Sequence, residues 1–220
     1  MKKALSLLLV LALALSLCGC GGGSELDTEA LTGTYSRDYE GTTINVFNWG
    51  EYLSDGSEGS LDVNAAFEEL TGVTVNYANY DSNEAMYAKL KSGAVSYDVI
   101  IPSDYMIQRL IGEGLLRERD YSFIDNAGLT DPQYLGMYFD PEDKYSVPYM
   151  VGTVGLIYNT EMVEEAPDSW RVMWDETYRD DILTFNNSRD AFSIAQLLLG
   201  IDVNSTDKAD WDACADLLKQ

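Results

Sequence analysis

The chain has 220 residues, 37 of them acidic against 14 basic, no histidine, and a formal charge of −23. Such a balance argues against nucleic acid or an anionic membrane surface as a partner and favours the approach of cations. The lack of histidine removes the commonest general base, the Ser-His-Asp triad and histidine-ligated zinc.

At the start, Lys2 and Lys3 precede an unbroken run of Ala, Leu, Val and Ser from Ala4 to Leu17, the layout of a secretory signal peptide. As a helix this run would reach about 21 Å at ~1.5 Å per residue, short of the ~30 Å hydrocarbon core of a bilayer. It ends in Leu17-Cys18-Gly19-Cys20, which resembles the bacterial lipobox, and that resemblance makes Cys20 the lipidated residue. Gly21, Gly22, Gly23 and Ser24 then open a polar stretch to Gly41 with the composition of a flexible tether, whose reach is about 25 Å. The expected organisation is therefore a leader over 1–19, lipidated Cys20 and tether over 20–41, and a folded body from Thr42. Loss of the leader takes two basic residues with it and brings the formal charge to −25. It also leaves only Cys20 and Cys214, the former committed to lipid, so the fold must rest on its core and not on a disulfide.

Along the body, strand and helix patterns alternate. Thr43 to Trp49 reads as a buried strand, rich in β-branched and aromatic residues. Val63, Ala66, Phe67 and Leu70 recur with helical spacing and Gly72 stops them. Val73 to Tyr77 reads as a second strand. Asp81 and Glu84 have the spacing of a capping box for a helix carrying Met86 and Leu90, closed by Gly93. Tyr97 to Ile101 reads as a third strand, and after Pro102 a helix bears Ile107, Leu110 and Ile111 and ends in the region of Gly112 and Gly114. This order predicts an α/β fold with a parallel, helix-covered sheet. A Pro-containing aromatic stretch from Asp131 to Tyr149 follows. Beyond it a strand at Thr153 to Tyr158, a helix at Trp170 to Tyr178, an extended segment at Ile182 to Phe185 and helices at Ser188 to Leu199 and Asp207 to Lys219 suggest a second α/β unit.

Ligands of open parallel sheets bind beyond the carboxyl ends of the strands. The first strand runs out into Asn48-Trp49-Gly50-Glu51-Tyr52, two aromatics bracketing a carboxylate, and the third into Pro102-Ser103-Asp104-Tyr105. A cation about 4 Å from a carboxylate gains ~4 kcal/mol at an effective dielectric near ~20, and each aromatic face adds ~0.5 to 2 kcal/mol. Blander roles stand beside these: Trp49 as core, Tyr52 and Tyr105 as surface aromatics, Glu51 as a solvated charge, Ser103 as a helix cap. Asn187 favours capping of the Ser188 helix over ligand contact, while Asp190 is open between the two. Cys214 lies on an amphipathic helix as a packed thiol, and neither a phosphate loop nor a dinucleotide fingerprint is present, so no cofactor is expected.

Four stretches carry a further signal: Phe47-Asn48-Trp49-Gly50-Glu51-Tyr52, the block from Tyr80 through Ser82-Asn83-Glu84-Ala85-Met86-Tyr87-Ala88-Lys89-Leu90, Tyr97-Asp98-Val99-Ile100-Ile101-Pro102-Ser103, and Tyr145-Ser146-Val147-Pro148-Tyr149. In these the chain resembles the periplasmic spermidine/putrescine-binding proteins of ABC importers. The resemblance implies a two-lobe periplasmic-binding-protein fold of type II, with a first lobe over 42–147 and the start of a second over 148–220, incomplete at the C-terminus. It implies a polyamine held by Trp49, Glu51, Tyr52, Ser103, Tyr105, Asn187 and Asp190, with Gly50 standing where many relatives have Thr and Asn187 where relatives have an acid. The implied partners are an ABC permease with its ATPase and, through Cys20, the outer face of the cell membrane, with the protein a monomer and not an enzyme. Another cargo on the same fold, such as a thiamine-like cation, an amino-sulfonate or ferric iron, and a lipid-anchored surface hydrolase or adhesin, are the alternatives.

Overall fold

The structure, a computed structural model, describes residues 35–184 and 186–220. The leader, Cys20 and most of the expected tether lie outside these residues. Two compact units divide in sequence between Met106 and Ile107.

The first unit is built on β1 (Thr43–Trp49), flanked by β2 (Thr74–Tyr80) and β3 (Val99–Ile100) in the order β2-β1-β3. Both pairings are parallel, running from Thr43↔Thr74 to Trp49↔Tyr80 on one side and Val46↔Val99, Phe47↔Ile100 on the other. A central parallel strand is covered on both faces, which is why β1 buries consecutive Phe47 and Asn48 instead of alternating. β3 is shorter than the expected Tyr97 to Ile101. At its start the Asp98 carboxylate, not a main-chain carbonyl, accepts the Asn45 N–H at 2.8 Å, and at its end Pro102 has no N–H to offer.

The helix α1 (Val63–Thr71) starts at Asp62, whose carboxylate accepts the Ala65 N–H, and stops at Gly72 with φ 72°. A Cβ at Gly72 would stand 2.6 Å from Cγ of Glu40, so both the conformation and the space demand glycine. The unsatisfied carbonyls at this helix end are taken by Arg37, which donates to those of Glu69 and Leu70, while the Gly41 N–H reaches the Gly72 carbonyl. The body thus begins before Thr42, at the residues that satisfy α1. α2 (Asn83–Ser92) is capped by Ser82, which accepts the Ala85 N–H, and not by the expected Asp81–Glu84 box. β2 runs on to Tyr80, past the expected Tyr77, and this moves the cap one residue along.

Phe47 is the centre of this unit's core, 2% exposed. Its ring stacks on Tyr97 at 4.5 Å and meets Tyr80 edge-on at 4.9 Å, with the Lys89 ammonium 4.7 Å from its centroid. Met86 and Met106 are buried in the same unit.

α3 (Asp104–Gly112) carries the division between the units. Beyond it the second unit is a series of short 3-10 turns followed by α4 (Ser188–Leu199) and α5 (Lys208–Leu218), the last two where the sequence put them. The expected Trp170 to Tyr178 helix is two 3-10 turns, because Asp175 is extended and its carboxylate accepts the Thr177 N–H, restarting the turn. The strand expected at Thr153 to Tyr158 does not form, and of the segment expected to be extended at Ile182 to Phe185 the described residues 182–184 join no strand. No partner segment pairs with them among the described residues, and Ile157 and Leu183 stand exposed. α4 and α5 pack through Phe192 and Trp211, whose rings lie 5.1 Å apart, and over buried Ile194, Ala195 and Cys214. Trp174 donates its indole N–H to the Leu217 carbonyl, tying the 3-10 segment to α5.

The Tyr145-Ser146-Val147-Pro148-Tyr149 stretch is anchored at one buried carboxylate. Asp140 accepts the N–H groups of Lys144, Tyr145 and Ser146 and the Ser146 hydroxyl, all within 3.0 Å. Burial works against its ionised form, yet these hydrogen bonds outweigh burial and keep its pKa below the ordinary carboxylate value.

Removing the Phe47 ring leaves a void bounded by Tyr80, Tyr97 and the Lys89 side chain. Phe47→Ala should cost about 3 to 5 kcal/mol, read as a lowered urea midpoint without a change in slope.

Candidate functional site

The candidate wall starts from the register of the sheet. Because Trp49 is paired with Tyr80, the two rings leave the sheet together, with centroids 4.7 Å apart, and Tyr52 completes the group 6.0 Å from Trp49. The chain around Trp49 is pinned on both sides: its N–H donates to the Asn48 side chain, and its carbonyl accepts from the Asn79 amide. Asn48, buried, donates in turn to the Tyr77 hydroxyl. Trp49 and Tyr52 are half-buried and Glu51 is exposed beside them.

Next to these aromatics the chain from Gly50 to Ser60 encloses a hollow of about 600 Å³. Glu51, Asp55 and Glu58 bring carboxylates to it and Tyr52 an aromatic face. Hydrogen bonds from Ser57 hold the Asp55 carboxyl below its ordinary pKa, which favours its charged form. Among the described residues, no group of three or more His, Cys, Asp or Glu side chains is disposed to hold a metal ion.

Tyr80 supports this wall from behind. Its hydroxyl donates to the Ile101 carbonyl at 2.5 Å, joining the ends of β2 and β3. Burial first, then the nearby Tyr52, Tyr105 and Tyr77 phenols, push its pKa well above the ordinary tyrosine value, so it stays a neutral donor. Ser103 and Tyr105 lie on the same edge, gathered by Asn83 at the first position of α2. Asn83 is 1% exposed. Its amide nitrogen lies 3.0 Å from both the Ser103 and Tyr105 hydroxyls, and its oxygen accepts the Ser103 N–H at 3.1 Å. Tyr105 in turn donates to Glu84.

Five of the residues picked from sequence, Trp49, Glu51, Tyr52, Ser103 and Tyr105, are therefore in the first unit, at the carboxyl ends of its strands. Asn187 and Asp190 are in the second. Asn187 caps α4 by accepting the Arg189 N–H at 3.0 Å. Asp190 faces a hollow of about 660 Å³ lined also by Trp170, Met173, Trp174, Ile194 and Leu218. Burial raises its pKa. Sequence reasoning gave no place at the site to Tyr80, Asn83 or Glu84, the last entering only as half of a capping box. The available signal was register: once β2 is carried to Tyr80, that ring must stand beside Trp49, and the next turn must face the Ser103 loop.

A family profile described as bacterial extracellular solute-binding protein matches residues 63–220. The chain belongs to that family. Among relatives in it, the spermidine/putrescine-binding periplasmic proteins of Salmonella typhimurium and Escherichia coli are each 34% identical, the first over 182 residues, covering 81% of this chain and 50% of that protein. The putrescine-binding periplasmic protein PotF of Escherichia coli is 31% identical over 193 residues, 81% of this chain and 50% of PotF. The chain spans about half the length of the curated relatives it matches. Of solved structures, the spermidine/putrescine ABC transporter substrate-binding protein PotD from Streptococcus pneumoniae is 38% identical with a TM-score of 0.62, over 80% of this chain and 52% of that one. The TpPotD lipoprotein of Treponema pallidum is 28% identical with a TM-score of 0.68, over 80% and 54%. The α/β fold is thus the one these solute-binding proteins share, and the family's setting is extracytoplasmic.

The Asp190 shift has a thermodynamic sign that can be checked. A carboxyl whose folded pKa is raised binds its proton more tightly folded than unfolded. The resulting penalty is absent below the unfolded value of about 3.9 and grows as pH rises through the folded pKa. Asp190→Asn should therefore raise the melting temperature at pH 7, and the gain should fade below about pH 4 in a series of thermal melts.

Proposed function

We propose that this protein is the substrate-capturing lipoprotein of an ABC importer and that its cargo is a polyamine such as spermidine or putrescine. The observation that carries the reading is the Trp49–Tyr52–Tyr80 group beside the anionic Gly50–Ser60 hollow. A polyamine is a chain of methylenes interrupted by ammonium groups. Ring faces shed water against its methylenes and attract its charges, and the Glu51 carboxylate offers a counter-ion a short reach away. Micromolar capture needs about −8 kcal/mol, which a few such contacts supply.

The names borne by relatives at 34% and 38% identity support the same cargo. On this reading Ser103 and Tyr105 extend the wall, and Asp190, held partly buried at the start of α4, supplies a second anionic contact that a bound ammonium would draw back toward its ordinary pKa. Asn187 acts as the cap of α4 that sets Asp190 in place. Lipid on Cys20 keeps the body, as a monomer, at the outer face of the membrane, where an ABC permease and its ATPase receive the cargo. Its work is capture and delivery, without chemical turnover. The lipoprotein among the solved relatives is consistent with that anchorage.

Isothermal titration of the full-length protein with spermidine and putrescine tests the reading. Trp49→Ala should weaken binding about tenfold or more, the share of one aromatic face against an ammonium. Equal affinity in wild type and variant would remove Trp49 from the site. Indifference of the wild type to both amines would remove polyamines as the cargo.

A further inference from the structure

The Ser82-Asn83-Glu84 turn, at the head of the most distinctive block of the sequence, has a hydrogen-bond polarity that can be deduced group by group. The Ser103 N–H can only donate, so the Asn83 atom 3.1 Å away must be its oxygen. The Asn83 nitrogen then faces the Ser103 and Tyr105 hydroxyls and donates to both. Tyr105, accepting from Asn83, must send its own proton elsewhere, and Glu84 Oε1 lies 3.1 Å from its hydroxyl. A neutral phenol donating to a carboxylate fixes that carboxylate's position without neutralising it. Glu84 is exposed, and its second oxygen has no protein partner among the described residues. Tyr105, which holds it, is near enough to Tyr80 to raise that residue's pKa, and Tyr80 packs on Trp49.

We propose that Glu84 is a cation-binding residue of this wall, a second carboxylate beside Glu51, and that Asn83 is the positioning residue that directs the Tyr105 proton onto it. The proposal rests on the polyamine reading. It differs in assigning one ammonium to a Glu84 carboxylate oxygen held by Tyr105. Asn83 never touches the cargo. It acts through the direction of a hydrogen bond inside a buried clamp, which explains a fully buried asparagine at a helix start whose capping is already done by Ser82.

Titration calorimetry with spermidine decides the matter when read with thermal melts. Glu84→Gln keeps the shape of an exposed side chain, so its melting temperature should match wild type while the dissociation constant rises about tenfold, the order of one charge-assisted hydrogen bond. Asp81→Asn removes the same charge from an exposed neighbour on the same turn and should change affinity by less than about twofold. Tyr105→Phe should weaken binding and, combined with Glu84→Gln, add less than about twofold to the worse single variant, the non-additivity of groups that act as one unit. Asn83→Ala should show the same coupling to Glu84→Gln. If that variant does not fold, the Tyr105 cycle carries the test alone. A wild type that binds spermidine alongside a Glu84→Gln that binds equally well overturns this assignment and leaves the polyamine reading standing. Equal weakening by Asp81→Asn also overturns it, since general charge would then suffice. A wild type that takes up neither polyamine overturns both.

Discussion

Main-chain pairing on both edges of β1 is the constraint on which the candidate site depends. Parallel neighbours deliver their carboxyl ends to one side of a sheet, so Trp49, Tyr80 and the start of the Ser103 loop arrive on the same edge, where the Asn83 side chain then holds the loop. Register does the rest. A slip of one residue in β2 would turn Tyr80 to the opposite face and separate it from both Trp49 and Phe47. The part-buried bonds of Tyr80 to Ile101 and of Asn83 to Ser103 then join the strand ends across the gaps left by short β3.

Aromatic faces and carboxylates are divided between two tasks here. Phe47, Tyr97 and Tyr80 are core: they are packed together, and the Lys89 ammonium over Phe47 closes that cluster on one side. Trp49 and Tyr52 share the aromatic stack yet keep part of their surface outside it, beside Glu51 and the anionic hollow. The transition from core aromatics to those of the proposed site thus occurs within two residues of one strand, and Tyr80 touches both sets.

Much of the first unit was legible in the sequence because its signals are local. β-branched runs, helical spacing and Gly72 and Gly93 stops each depend on a few neighbouring residues, and β1, α1 and α2 lie where those patterns put them. What failed to read was non-local. The strand expected at Thr153 to Tyr158 has suitable side chains but no partner among the described residues, and a strand is defined by its partner as much as by its own composition. The Trp170 to Tyr178 stretch has a helical pattern that Asp175 interrupts by turning its carboxylate on the Thr177 N–H, a competition between side chain and helix that periodicity does not register. Of the site, Trp49, Tyr52 and Ser103 could be chosen from their positions after strands. Asn83 and Glu84 could not, because their importance comes from what a different loop places against them.

Between α4 and α5, Cys214 is sealed from solvent and is the one free thiol among the described residues. Burial, and after it the Asp210 charge, raises its pKa, so it is shielded both sterically and by protonation. Alkylating reagents can reach it only when the helix pair parts. The rate at which the sulfur is modified is therefore a clock for local opening of the second unit, a motion that ligand titrations do not read.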